Sequence, residues 1–193
     1  MGSKSLRLSF GAVEEGFRLQ TERLVLRPYR QEDLEDLHAM FSDPGHMRWY
    51  PEPFDRDRTQ AWIDRTFERY RDDGFGLWIV EDRETGAFLG TVGPTIQLVD
   101  DVGHVEIGWH TRPGRKGEGI APEAARAATD WAFDNLDVDH VISLVRPENT
   151  GSNRVAQKLG MHVDRDVDRY GMVHHVYRID RASWEGRAEG TSS

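Results

Sequence analysis

Residues 105–133 read VEIGWHTRPGRKGEGIAPEAARAATDWAF, and the order of signals inside this stretch decides how the chain folds. VEIGWH alternates apolar and polar positions as a half-buried strand does. Between Arg112 and Ala124 the sequence then sets three glycines and three cations directly before a helix-forming run. Glycines let a backbone approach a ligand closely. The first-turn N–H groups of a helix have no internal partner and point outward, so anions bind such ends. Pro122 suits a first turn because it has no N–H to leave orphaned, and Glu123 is a favoured first-turn acid. Arg115 and Lys116 add mobile cations beside the loop. A glycine-rich turn that holds no ligand is the plainer reading of the same residues.

Two other phosphate loops do not fit. A P-loop requires GxxxxGK followed by Ser or Thr, whereas Gly114 to Gly119 runs into Ile120, so the lysine and the hydroxyl are both missing. A dinucleotide fingerprint requires GxGxxG immediately after a strand. Here Gly117-x-Gly119 meets Pro122 at the third glycine position and stands several residues beyond the strand.

Working outward, LVLRPY at Leu24 to Tyr29 reads as a strand, and QEDLEDLHAMF places Leu34, Leu37, His38 and Phe41 on one helical stripe. SDPGHMRWYPEPFD, with its prolines, predicts a loop, and Thr59 to Tyr70 spaces Trp62, Ile63, Phe67 and Tyr70 as a second amphipathic helix. FGLWIVED, AFLGTVGPTIQLV and HVEIGWH, separated by turn signals, read as three strands of an antiparallel meander. A helix at Pro122 to Asn135, a strand at His140 to Val145, a short helix from Thr150 to Leu159 and two terminal strands follow. A meander followed by crossover helices predicts an α/β architecture with a mixed sheet covered on both faces. Gly108 inside VEIGWH predicts either a bulge that frees backbone groups or room for a bulky neighbour such as Trp131.

The 193 residues fit one domain. We expect an N-terminal extension over 1–18, the domain over 19–182 and a disordered tail over 183–193, from the polar run EGRAEGTSS. The absence of cysteine removes disulfides, thiolate nucleophiles and cysteine-ligated metal. A net charge of −9 disfavours a nucleic acid partner, and is read as solubility or as steering of a cationic acceptor toward a cleft. MGSKSLRLSFGAVEEGF lacks the apolar core of a signal peptide and no apolar run approaches the ~20 residues of a membrane span, so the expectation is a soluble cytoplasmic protein. The histidines show no helical metal spacing, and adjacent His174 and His175 must face opposite sides of a strand, so no metal site is expected.

The stretch quoted first, followed after one strand by PENTGSNRVAQKLGM, resembles the GCN5-related N-acetyltransferases (GNAT), most closely their RimJ/RimL-like ribosomal-protein N-terminal acetyltransferase branch. LQTERLVLRPYRQEDLEDL and FSDPGHMRWYP are similar to that branch as well, so the likeness spans about residues 19 to 180. It implies a mostly antiparallel sheet of six to seven strands with a splayed parallel pair and about four helices. It also implies acetyl-CoA as cosubstrate, with its pyrophosphate on Arg115, Lys116, Gly117, Glu118, Gly119, Ile120 and Ala121, and its pantetheine arm along Trp109, His110 and Thr111. Lys116 stands where the family carries Arg or Gln. Asn149 and Ser152 match the family's Asn-x-x-Ser near the thioester, and helix capping is the alternative reading of both. The tyrosine that relatives use to protonate the thiolate is replaced by Ala156, which leaves Ser152, or less securely Tyr170, as the acid.

The implied activity is direct transfer of an acetyl group to a primary amine, either a protein N-terminal α-amine or a small-molecule amine. A non-catalytic acyl-CoA sensor or interaction module is the alternative that the missing tyrosine raises. Direct transfer needs a deprotonated amine, alignment, donors for the oxyanion and protonation of the thiolate, but no enzyme nucleophile. Glu106 is the proposed base, a solvated strand position being its other reading. An α-amine, near pKa 8, suits a carboxylate base better than a lysine near 10.4. The acceptor is expected among His46, Met47, Arg48, Trp49 and Tyr50 and the turn before Tyr170, residues that equally read as a lid over the core. A homodimer is left open.

Overall fold

The computed structural model describes residues 16–169 and 171–189. In chain order these form β1 (Leu19–Gln20), β2 (Leu24–Pro28), a 3-10 turn (Gln31–Asp33), α1 (Leu34–Phe41), α2 (Pro44–Met47) and α3 (Arg56–Asp72). The meander β3 (Trp78–Asp82), β4 (Phe88–Val99) and β5 (Val102–Thr111) follows, then α4 (Ile120–Asn135), β6 (His140–Val145) and α5 (Thr150–Lys158). The chain closes with β7 (His162–Arg169), β8 (Met172–Asp180) and α6 (Arg181–Glu189). One mixed sheet, in the order β1-β2-β3-β4-β5-β6-β8-β7, holds eight strands among the described residues. The short β1 takes the count above the expected six to seven, and α2 and α6 raise the helix count above four.

Alternation along the strands divides the core in two. On β3, Trp78 and Val80 face α4 while Ile79 faces α1 and α3. Ala124, Ala125, Ala128 and Ala132 let α4 lie close on the sheet, and all four are buried. Trp131 meets Trp78 edge-on at 5.1 Å, and Phe17 packs on the same Trp78 at 5.1 Å. Phe17, assigned to an extension in the sequence, thus packs against the core, and residues 1–15 lie outside the described chain.

The opposite layer is fixed by a buried charge. Arg27 on β2 donates two hydrogen bonds to Asp33, at 2.8 and 2.7 Å, and a third to Glu81 on β3 at 2.7 Å. Burial opposes its charge, but these two carboxylates hold the guanidinium firmly protonated. Removing one partner of such a buried group costs about 3–5 kcal/mol. The triad therefore locks the entry into α1 against the sheet.

Two expectations are corrected. The loop at 42–55 contains α2, a single turn started by Pro44 and capped by Asp43, whose side chain accepts from the His46 N–H at 2.5 Å. The tail is helical as far as Glu189: Trp184 is buried and donates to Asp130 at 2.7 Å, and Arg187 reaches the carbonyl of Leu159. One aromatic anchor outweighs the polar composition on which the expected disorder rested.

No bulge occurs at Gly108. The ladder between β4 and β5 is continuous from Gly90↔Thr111 to Val99↔Val102, and register shifts fall elsewhere, at Val80/Glu81 and Val163/Arg165. The tight approach lies across the ladder at Gly90, with φ +148°, where an added Cβ would stand 2.1 Å from the carbonyl oxygen of His110. Gly90→Ala should therefore destabilise the fold by more than about 2 kcal/mol, read as a lowered denaturant midpoint. A midpoint unchanged from the parent protein would contradict this geometry.

Candidate active site

β5 and β6 run parallel and share a single main-chain pairing, Glu106 with Ile142, after which they part. Side chains close the apex of the wedge. The Ser143 hydroxyl donates to the Ile107 carbonyl at 2.8 Å, and Glu106 Oε1 accepts the Leu144 N–H at 3.1 Å. Above the apex opens a cleft of 1110 Å³, reached by the first turns of α4 and α5, by one face of α3 and by β7 and β8.

Glu106 lies on the cleft side of β5, whereas Val105 and Ile107 point into the core beneath α4. Burial pushes its carboxyl above the ordinary range, against the Leu144 N–H and the charges of Arg169 and Arg69, which favour the ionised form. Gly108 and His110 follow on the same face at the period of a strand. An added Cβ at Gly108 would meet only Leu77 Cδ2, at 3.8 Å, so the missing side chain leaves a gap between Glu106 and His110.

The α4 end of the cleft is built from main chain. Gly117 and Gly119 have φ of +92° and +82°, and Gly119 precedes the helix without any side chain capping the first turn. The loop is held from outside by Arg23, which donates to the Glu118 carbonyl at 3.1 Å and pairs with Glu123 at 2.6 Å. Partial burial of Glu123 works against its charge, but hydrogen bonds from Thr21 and Arg23 keep its pKa below the usual value. Arg115 lines the cleft and pairs with Glu118 at 2.8 Å. Lys116 lines the cleft beside Gly117 and Gly119.

At the start of α5, Asn149 caps the helix by accepting the Ser152 N–H at 3.2 Å, and both residues line the cleft. Asn153, which the sequence did not single out, donates to the carbonyls of Arg146, Pro147 and Asn149 and accepts from the Tyr177 hydroxyl at 2.8 Å. That network fixes the β6–α5 corner. Ala156 is fully buried in the main core and offers no polar atom.

Across the wedge, α2 delivers His46 to within 3.3 Å of His110 Nδ1, and the Tyr50 hydroxyl lies 3.1 Å from His110 Nε2. Desolvation, assisted by the charge on Lys116, lowers His46 to about 4 and, together with His46, lowers His110 to about 3. Burial raises Tyr50 above its ordinary value, so all three groups are neutral near pH 7. His46 Nδ1 is buried without a protein partner.

Of the residues marked in the sequence, Glu106, Trp109, His110, Thr111, Asn149, Ser152, His46, Arg48, Trp49 and Tyr50 share this one cleft. So do Arg115, Lys116, Gly117, Gly119, Ile120 and Ala121, while Met47 is buried in the α1–α3 core. Tyr170 lies outside the described residues. His174 faces the cleft and His175 turns to Asp166 at 2.5 Å, the opposite orientations that adjacency requires. Ser143 and Arg23 carried no readable sequence signal, because their partners are 36 and 95 or more residues away.

The acetyltransferase (GNAT) domain family matches residues 23–162. The chain is 34% identical over 161 residues to YkkB of Bacillus subtilis, covering 83% of this chain and 94% of that protein. It is 26% identical to the spermidine N(1)-acetyltransferase of Escherichia coli, over 79% of this chain and 80% of that one. Among solved structures, an acetyltransferase from Agrobacterium tumefaciens superposes with a TM-score of 0.75 at 29% identity, covering 93% of this chain and 100% of that chain. RimL, the ribosomal L7/L12 alpha-N-protein acetyltransferase in complex with coenzyme A, superposes with a TM-score of 0.70 at 14% identity, covering 86% and 99%, a likeness of fold.

The histidine pair sets an acid limit on stability. Well above pH ~6.5 neither imidazole is protonated in the folded or the unfolded chain, so neither affects the balance. As pH falls below that value the unfolded chain takes up protons that His46 and His110 refuse until about pH 4 and 3, and stability is lost across that window. Each contributes up to about tenfold in the folding equilibrium per pH unit. In urea titrations between pH 7 and 4, His46→Gln/His110→Gln should show a shallower loss than the parent, and an identical slope would refute the depressed values.

Proposed function

Because the chain belongs to the GNAT acetyltransferase family, and is by that membership an acyltransferase, we propose that it moves the acetyl group of acetyl-CoA directly to a primary α-amine, with Glu106 as general base. A RimJ/RimL-like use, on a protein or peptide amino terminus, is the form of this activity that we favour. The observation that carries it is the wedge between β5 and β6, with a carboxylate at its apex and two helix starts at its mouth.

The residues present suit a CoA diphosphate. The uncapped first turn of α4 and the left-handed glycines before it turn main-chain N–H groups outward, and Lys116 supplies a cation beside them. Arg23 stiffens this seat from behind. The unpaired edge of β5 over Trp109 to Thr111 offers main-chain groups to an extended amide arm, since β6 has turned away. Acetyl-CoA supplies the activated thioester carbon.

Glu106 takes the proton from the incoming ammonium, directly or through a water. Its raised pKa narrows the gap to an α-amine near 8, whereas a lysine near 10.4 would add about 3 kcal/mol to the transfer. The gap left by Gly108 admits the amine between Glu106 and His110. Ser152 donates to the departing sulfur. A thiol pKa of about 8.5 makes that thiolate a weak enough base to leave without a strong acid, which accounts for Ala156 at the tyrosine position.

Glu106→Gln preserves an acceptor for the Leu144 N–H, so the fold should stand while kcat falls about 10²- to 10⁴-fold and CoA affinity stays within about twofold. Thiol release from acetyl-CoA and a CoA-induced rise in melting temperature measure the two. Turnover that survives the substitution would remove Glu106 from the mechanism. Arg23→Ala should instead raise the KM for acetyl-CoA several-fold with little change in kcat, because it loosens only the diphosphate loop. A kcat loss at saturating acetyl-CoA would contradict that division of roles.

A further inference from the structure

The net charge of −9 belongs to the outer surface, not to the cleft. Ten Lys and Arg side chains line the cleft against one carboxylate, Glu106. Some are accounted for at the cofactor end, where Lys116 sits in the diphosphate loop and Arg154 and Lys158 lie on α5. Arg115 and Arg146 lie at the same end, paired with Glu118 and Glu148, whereas Arg48 and three arginines of α3 come from the other wall. On α3, Arg58, Trp62, Arg65 and Arg69 recur at four, three and four residues, which puts them on one helical stripe turned to the cleft.

Arg58 is paired with Glu52 outside the cleft. Arg65 and Arg69 have no carboxylate within ion-pair distance among the described residues, and Arg69 is partly buried. Burial and the neighbouring charge of Arg65 lower the Arg69 pKa, while Glu106 and Asp73 partly offset them. Arg169 on β7 lines the same end and donates to Gln97 at 3.2 Å. A pair of guanidinium groups so placed favours an anion between them, and a planar carboxylate matches their donors. A polyamine would instead bring like charges against this wall. Exposed charges beyond about 8 Å are screened at physiological salt, so the acidic exterior does not cancel the effect.

We propose that the acceptor is the amino terminus of an acidic peptide, its α-amine at Glu106 and a carboxylate from one of the next residues on Arg65 and Arg69. This deepens the acetyltransferase reading and rests on it. The α-ammonium gives one proton to Glu106, and its nitrogen bonds to the acetyl carbon as the carbon–sulfur bond breaks. The sulfur leaves as thiolate and takes up a proton. The products are acetylated peptide, free CoA and one released proton.

The test holds the amine constant and varies only the charge behind it. Peptides beginning Ser-Asp-Glu, Ser-Asn-Gln and Ser-Lys-Lys, with spermidine as a fourth acceptor, are compared by thiol release at low and high salt. The acidic peptide should exceed the neutral one by about tenfold or more in kcat/KM, with the basic peptide and spermidine lower still. Added salt should shrink that advantage. Arg65→Gln/Arg69→Gln should abolish it, read as the ratio of acidic to neutral peptide kcat/KM within that variant, and Arg69→Lys should retain part of it. If an arginine variant fails to fold, the peptide series on the unaltered protein decides alone. A neutral peptide, a basic peptide or spermidine matching the acidic peptide overturns the proposal, as does an acidic preference that persists in the double variant. Failure of all four acceptors while CoA still raises the melting temperature also overturns it and leaves the cofactor reading standing. Loss of that CoA-dependent rise strikes the acetyltransferase reading itself.

Discussion

The parting of two parallel strands after one shared pairing governs the rest of this molecule. Main-chain donors and acceptors that would have faced each other must find other partners, because leaving them buried and unpaired is costly. Ser143 and Glu106 meet two of those demands with side chains. The carboxylate that closes the seam is thereby held at the floor of the cleft, where desolvation makes it more basic. Structural need and the proposed chemical use fall on one residue.

The layers on either side supply different kinds of chemistry. Alanine-rich α4 lies flat on the sheet, so its first turn reaches the wedge with main-chain N–H groups facing out. On the other face, bulky residues of α1 and α3 build a thicker layer, and the triad around Arg27 fixes its entry. That layer contributes side chains: the neutral chain Tyr50–His110–His46 and the arginine stripe of α3. One wall thus offers main-chain donors, while the other presents rings and guanidinium groups.

How much of this was legible in the sequence follows from distance along the chain. The meander, α4, β6 and α5 were readable because period, turn residues and caps are local signals, and Asn149 caps α5 as its position suggested. The glycine loop was readable as backbone made for close approach. Gly108 was read as a bulge or as room for Trp131, yet its ladder is unbroken and its role is the space beside Glu106. The helix over 44–47 hid behind prolines, and α6 hid behind a polar composition that concealed the weight of Trp184. Pairings such as Tyr50 with His110, 60 residues apart, have no signature in one sequence, since only the folded sheet brings them together.

The strap from Arg23 to Glu118 and Glu123 joins positions 95 and 100 residues apart. Closing so long a loop is entropically costly, and the contact cannot form until β2 and α4 have both docked. During synthesis Arg23 emerges well before Glu123 exists, so the glycine loop is among the last parts of the molecule to take shape. Fraying of the β1–β2 margin, a low-cost local opening, would slacken that loop at a distance. With CoA seated on that loop as proposed, its occupancy and the integrity of one sheet margin would be thermodynamically linked, and the bound cofactor would guard that margin against proteases.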